Sequence, residues 1–270
     1  MQAGSAPDDV SPARAIATLE QVVARMGTLD AELRLGDGVR YFNALYLEVT
    51  REVVRAMSAG EFEDPRFLER LAVSFSNAYF RAVDDSVRVP ATGISRAWAP
   101  LFASRYDRRV APIQFALAGM NAHINYDLPI GVRDTCLALD VTPQDGTPQH
   151  RDFVRLNNTL QAVQERVKPW LTPGLLGVID RAFGRLDDVV AGFSVARARD
   201  AAWIHAQTLW SVREDQSLVS SYLLTLDRTV GFAGRGLLAP TLLGLARWAS
   251  AQRWLPGAAR RLLGAPRDVR

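Results

Sequence analysis

Between Arg109 and Arg133 the only charged side chain is Asp127. Placed at about 100° per residue, Ile113, Leu117, Met120, Ile124 and Leu128 fall on one stripe of this run, with Phe115, Ala118, Ala122 and Tyr126 behind them. A helix that is hydrophobic nearly all round is buried. The run therefore predicts a central helix from about Pro112 to Leu128, closed by Pro129, and a buried helix needs others around it. The rest of the chain supplies them. Ile16, Leu19, Val23 and Met26 repeat at helical spacing after a Ser11-Pro12 start and stop at Gly27. Val39, Phe42, Leu45, Val49, Val53 and Met57 form a second run that stops at Gly60. Asp64-Pro65 opens a third to about Val83, and a short helix is expected around Ala97 to Phe102.

Later helices are expected over Ile130 to Leu139 and from Pro148 to about Trp170. A pair follows between Thr172-Pro173 and Arg213, then Leu218 to Val230 and Leu237 to Trp254. No strand-like alternation bounded by hairpin signals is present, no period of 20–50 residues recurs, and no linker rich in Gly, Pro or Ser divides the chain. The expectation is an all-α fold: disordered residues 1–10, then one compact multi-helix domain over 11–270 around the buried central helix.

At 270 residues the chain can bury a large core without a disulfide or structural metal. Cys136 is the only cysteine, which excludes an intramolecular disulfide and any thiolate-rich zinc or iron–sulfur site. Nothing requires an oxidising compartment, and Met1 to Val10 has no basic region followed by an apolar run, so a cytoplasmic chain is expected. The formal charge of +3 and pI near 9.3 do not indicate nucleic acid. Lys168 is the only lysine, and Arg51, Arg55, Arg66 and Arg70 alternate with Glu48, Glu52, Glu63 and Glu69 as on a solvated helix face. Only the C-terminal Arg247, Arg253, Arg260, Arg261, Arg267 and Arg270 lack matching acids apart from Asp268, a pattern that suits a helix C-terminus. Gly236 to Ala246 is about half the roughly 20 residues a membrane span needs, and Pro240 interrupts it. No stable membrane insertion is expected, and residues 236–254 read as a buried helix or an interface for a helical partner.

Polar residues inside the apolar runs are the candidate site. His123 and Asp127 stand at i,i+4, where the carboxylate can reach an imidazole nitrogen, fix its tautomer and raise its basicity. That arrangement prepares a general base; the same spacing also serves a structural hydrogen bond inside a helical core. His150 opens the helix after Pro148, where the dipole favours the neutral ring, and it shares a face with Phe153 and Asn157. It is either a complementary proton donor or a surface cap. Asp152 is expected to point into the first turn of its own helix. Asn43, Asn77, Asn121 and Asn125 interrupt apolar segments, while Arg199, Trp203 and Trp210 fall on one stripe that suits cation–π packing or an anionic or planar ligand. His205 reads as an ordinary helix residue.

No dinucleotide GxGxxG, phosphate-binding GxxxxGK, GxSxG elbow or HExxH is present. With three histidines the chain has material for one modest site, and His123, Asp127 and His150 are the set that zinc or iron would use.

The segments FNALYLEVT, FLERLAVSFSNAYF, RAWAPLF and, above all, APIQFALAGMNAHINYDLP resemble domain-of-unknown-function family 5995, a bacterial family. The resemblance continues through GTPQHRDFVRLNN, VARARDAAW…LW and LDRTVGFAGRGLL, nearly the whole chain after about Arg40. It implies an all-helical fold and supplies no established activity. It also implies that His123, Asn125, Asp127, His150, Asp152, Arg199 and Trp203 belong to the shared pattern and that His205 does not. Such proteins can occur beside natural-product pathways, which implies a tailoring role.

The leading expectation is a cofactor-independent enzyme acting on a small molecule by hydrolysis, elimination or ring closure. His123 held by Asp127 would act as base or acid, with His150 as its complement. The asparagines would position substrate, and Arg199 with Trp203 would bind an anionic or aromatic part. Two alternatives stand beside it: a metal-dependent hydrolase of phospholipase-C-like architecture using zinc or iron, and a non-catalytic ligand- or partner-binding helical protein.

Overall fold

A computed structural model describes residues 16–88, 93–171 and 194–239. The Ser11-Pro12 start, residues 1–10, the first helix after Thr172 and the C-terminal arginines lie outside the described residues, as does all of the 236–254 segment beyond 239. The described chain is helical, with no strand. The helices are α1 (Leu19–Glu32), α2 (Val39–Ser58), α3 (Pro65–Arg88), α4 (Ala99–Ser104), α5 (Pro112–Ala122), α6 (Leu128–Leu139), α7 (Pro148–Leu171), α8 (Val195–Ser211) and α9 (Gln216–Leu237). None of them is long and apolar enough to cross a membrane.

Local chemistry explains most of the boundaries. Thr18 caps α1 by accepting from the Gln21 N–H, while Gln21 Oε1 accepts from the Ala17 N–H, a reciprocal pair. Leu19, Val22, Met26 and Leu29 bury one face of α1. Gly27 lies inside this helix and does not end it; no other atom crowds its Cβ position, so its place in the helix is a tolerated propensity cost. Thr147 caps α7 through the His150 N–H at 3.2 Å, and Asp215 caps α9 through the N–H groups of Ser217 and Leu218. Two expectations about helix ends are corrected. α3 runs five residues past Val83, and α9 continues through Gly231, Gly234 and Gly236 instead of stopping at Val230. Gly231 is required there: a Cβ on it would lie 2.2 Å from the Arg96 carbonyl oxygen, so α9 passes against the loop before α4.

The central helix differs most from expectation. Pro129 does not close it. α5 and α6 form one continuous rod, joined by a single π-helical turn over His123–Asp127 in which the Leu128 N–H donates to the His123 carbonyl. Proline in a helix removes one N–H and drives its ring toward the carbonyl four residues back, here Asn125. Widening the turn by one residue relieves that clash while the helix continues.

Packing gathers around this rod. α5 lies against α2 and α9, and α6 against α3 and α8. At the α2–α5 crossing Gly119 meets the Phe42 ring so closely that a Cβ would fall 2.3 Å from it. The buried apolar residues form two clusters, one around α1, α2, α4 and α5 and one around α6, α7 and α8. Val49 of α2 and Phe75 of α3 pack against both, which places the seam between the clusters beside the π turn.

Candidate functional site

His123 opens the π turn and faces the core. It is 2 % exposed and Asp127 6 %. Its Nδ1 lies 2.9 Å from Asp127 Oδ2, and the same oxygen accepts the indole N–H of Trp98 at 3.0 Å. With the carboxylate as acceptor, Nδ1 carries the proton and Nε2 presents a bare lone pair. Nε2 is buried and has no hydrogen-bond partner. Leaving such a group unsatisfied costs about 1–3 kcal/mol, and this nitrogen shares that state with Asp30 Oδ1 and Thr135 Oγ1 among the described residues. Burial holds the His123 imidazole below its ordinary pKa, against the opposing pull of Asp127. The ring is therefore neutral near pH 7, a proton acceptor and not a cation.

Aromatic rings enclose it. Phe75 stacks on the imidazole with centroids 3.4 Å apart and planes 8° from parallel. Tyr46 meets it at 4.6 Å, Phe42 at 5.6 Å, Trp98 at 5.9 Å and Tyr79 at 6.1 Å. Tyr46 is tied to Ser76 Oγ at 2.8 Å, and Ser76 donates to the Ala72 carbonyl. Burial pushes the Tyr46 hydroxyl far above its ordinary range, so it stays protonated.

Beside this group a cavity of about 110 Å³ opens between α2, α3, α7, α8 and the π turn. Its walls are almost wholly apolar: Phe42, Leu45, Val49, Val53, Leu68, Leu71, Phe75, Met120, Ile124, Leu128, Leu156, Leu160 and Val195. Tyr46, Thr50, Ser76, His123 and Arg199 are the polar side chains on its lining. Thr50 is already bonded to the Tyr46 carbonyl.

Arg199 comes from α8 and is 6 % exposed. Its Nε donates to Asn157 Oδ1 and its Nη2 to the Phe153 carbonyl, both at 2.7 Å, and its guanidinium carbon sits 4.1 Å above the Phe153 ring. The cation–π partner is thus Phe153 and not Trp203. Burial lowers its pKa to about 10, partly offset by exposed Asp200, which leaves it cationic at neutral pH.

The other expected site residues are elsewhere or already committed. His150 does not line the cavity. Its Nδ1 accepts the Gly146 N–H, its ring packs 5.0 Å from Trp203, and its Nε2 lies 3.9 Å from Asp145. The His123–Asp127–His150 set is not assembled, and among the described residues no three His, Cys, Asp or Glu groups are placed to hold a metal ion. Trp203 is buried against Phe153 and donates to Asp145. Trp210 carries Arg213 over its ring at 4.6 Å, and His205 bonds Tyr222 at 2.6 Å.

Each asparagine serves the scaffold. Asn43 donates to the Met26 carbonyl and accepts from Tyr79. Asn77 exchanges two bonds with the Ile16 backbone. Asn121 donates to the Val230 carbonyl and accepts from Asn125. Asp152 points away from its own helix and caps α3, accepting from the N–H groups of Glu63 at 3.0 Å and Asp64 at 2.6 Å. Sequence reasoning missed Trp98, Phe75 and Tyr46. Only Trp98 carried a signal, since a buried indole N–H needs an acceptor.

No curated protein and no solved structure matches the chain. A family model described as a family of unknown function, DUF5995, matches residues 19–240. The GMNAHINYD stretch that ends α5 and forms the π turn falls within that match with the segments packed on it, and the chain belongs to this family.

Proposed function

We propose that this chain binds a small apolar molecule in the cavity beneath the π turn and that His123 moves one proton on it. The observation behind this reading is the buried, unpartnered Nε2 of a neutral, Asp127-backed imidazole in a residue that lines a largely apolar cavity. Among the described lining residues it is the one group that accepts a proton near neutral pH, because Tyr46 is held protonated and Arg199 cationic. A single acid–base group supports proton shifts and eliminations better than hydrolysis, which needs a second group to manage water and leaving group. The tailoring of a natural product falls within that class.

The test is depletion of a small-molecule extract at neutral pH, followed by mass spectrometry. The expected result is a compound consumed by the wild type and left untouched by His123→Gln. Equal consumption by both proteins, or by neither, defeats the proposal.

Ligand binding without turnover is the second reading. One observation favours it: Nε2 is buried and unpartnered, as suits a group that receives a donor from a bound molecule. A probe that shifts the His123 ¹⁵N resonance while no compound is consumed would select it.

A further inference from the structure

Among the described residues, charged side chains taken out of water are matched with one conspicuous omission. Arg40 pairs with Asp30 at 3.2 Å, Arg105 forks onto Asp37, and Asp227 accepts from the N–H groups of Arg96 and Ala97. Asp152 and Asp127 are each held by two donors. Arg199 is as buried as Arg40, yet no carboxylate of the described residues reaches it within ion-pair distance. Its two bonds go to a neutral amide and a backbone carbonyl. Of its five N–H donors, both on Nη1 and the second on Nη2 have no acceptor among the described residues. One hydrogen on each Nη makes up the end-on edge, the geometry that grips a carboxylate through two parallel bonds. Asp200, its exposed neighbour along the helix, acts on it only at a distance.

Arg199 is one of the residues that line the apolar cavity. An uncharged ligand would leave it without a counter-ion; a ligand with one negative group would supply it. The cavity of about 110 Å³ is somewhat smaller than the roughly 150 Å³ apolar cavity that takes benzene. That sets the apolar body at one small ring or a short branched chain.

We infer that the cavity ligand is a small monocarboxylate, with its carboxylate on the free edge of Arg199 and its apolar body between α2, α3 and the π turn. This rests on the proposal that the cavity holds a small molecule, and it adds the charge and the orientation. Arg199 becomes the binding group and His123 the proton acceptor, so the acid is held by one residue and worked on by the other.

Benzoate and toluene, a ring with and without the carboxylate, test this by calorimetric titration of the full chain at neutral pH. The expected result is benzoate binding roughly tenfold or more tighter than toluene, the difference a charge-assisted hydrogen bond makes. Arg199→Met should lose that preference while keeping toluene. Toluene binding as tightly as benzoate to the wild type overturns the inference and leaves the cavity proposal standing; neither probe binding removes both. Benzoate binding unchanged in Arg199→Met also overturns it. Should that variant not fold, the wild-type comparison decides alone, joined by salt dependence: benzoate affinity is expected to change little between low and high salt because the contact is buried. A steep loss would place the anion on surface arginines instead and overturn the assignment.

Discussion

His123 Nδ1 and Asp127 Oδ2 stand 2.9 Å apart across the one π-helical turn of the central rod, and Trp98 donates to the same carboxylate oxygen. The carboxylate thereby sets the tautomer and leaves Nε2 bare. Asp127→Leu removes the oxygen that both Nδ1–H and the Trp98 indole N–H bond to, so nothing holds the imidazole proton on Nδ1. The variant is expected to lose about 1–3 kcal/mol by chemical denaturation, with the imidazole ¹⁵N shifts reporting the changed tautomer balance. Unchanged shifts would mean that Asp127 does not choose the tautomer.

Stability should fall on the acid side because of His123. Its folded pKa is held below the ordinary 6.5 by burial among Phe42, Tyr46, Phe75, Tyr79 and Trp98, with Asp127 opposing. The unfolded chain then binds more protons once the pH drops below about 6.5, so the stabilisation is complete above that value and is lost progressively below it. His205, also held low by burial, contributes in the same direction. Denaturation midpoints between pH 7 and pH 5 should decline more steeply for the wild type than for His123→Gln, by up to about 1.4 kcal/mol per pH unit. Parallel declines would show that His123 titrates alike in both states.

The helices were legible because their determinants are local. The Asp64-Pro65 and Pro148 starts and the Gly38 to Gly60 limits of α2 all appear where propensity and capping put them. Pro129 shows where that logic stops: a proline breaks a helix only if the turn before it cannot widen, and that depends on partners from α3, α8 and α9 packed around His123–Asp127. The His123–Asp127 bond was legible for the same local reason, spacing within one turn. His150 and the asparagines were not, since a polar residue in an apolar run reads the same whether it meets a substrate or a distant backbone carbonyl. Asn77 illustrates this: its partner is Ile16, sixty-one residues away. Nor does one helix reveal that no carboxylate of the described residues pairs with Arg199, which depends on every element around it.

Asp152 joins α7 to the start of α3, accepting from two backbone N–H groups eighty-nine and eighty-eight residues earlier. Those donors belong to the open end of α3 and have no helical partner. Asp152→Ala should cost about 1–3 kcal/mol and speed amide exchange at Glu63 and Asp64 before it affects the His123 ring. Exchange unchanged at those two amides would show that water replaces the carboxylate freely.

Phe75 covers one face of the His123 imidazole and is only half-buried itself, which makes it the least buried of the five rings around the imidazole. Desolvation is the largest influence on the His123 imidazole, and a ring stacked 3.4 Å away is the nearest source of it. In Phe75→Ala, water or a ligand gains access to the imidazole, the charged form is solvated, and Asp127 now favours protonation with less opposition. The His123 pKa should therefore rise toward or above 6.5 in an NMR titration, and the ring should become reactive to diethyl pyrocarbonate. The loss of stability should stay below the roughly 3–5 kcal/mol of a fully buried phenylalanine. If the pKa instead stays low and the ring unreactive, the remaining four aromatic side chains suffice to seal it, Phe75 is not the door, and a ligand would have to approach His123 from the Met120 and Ile124 side of the cavity.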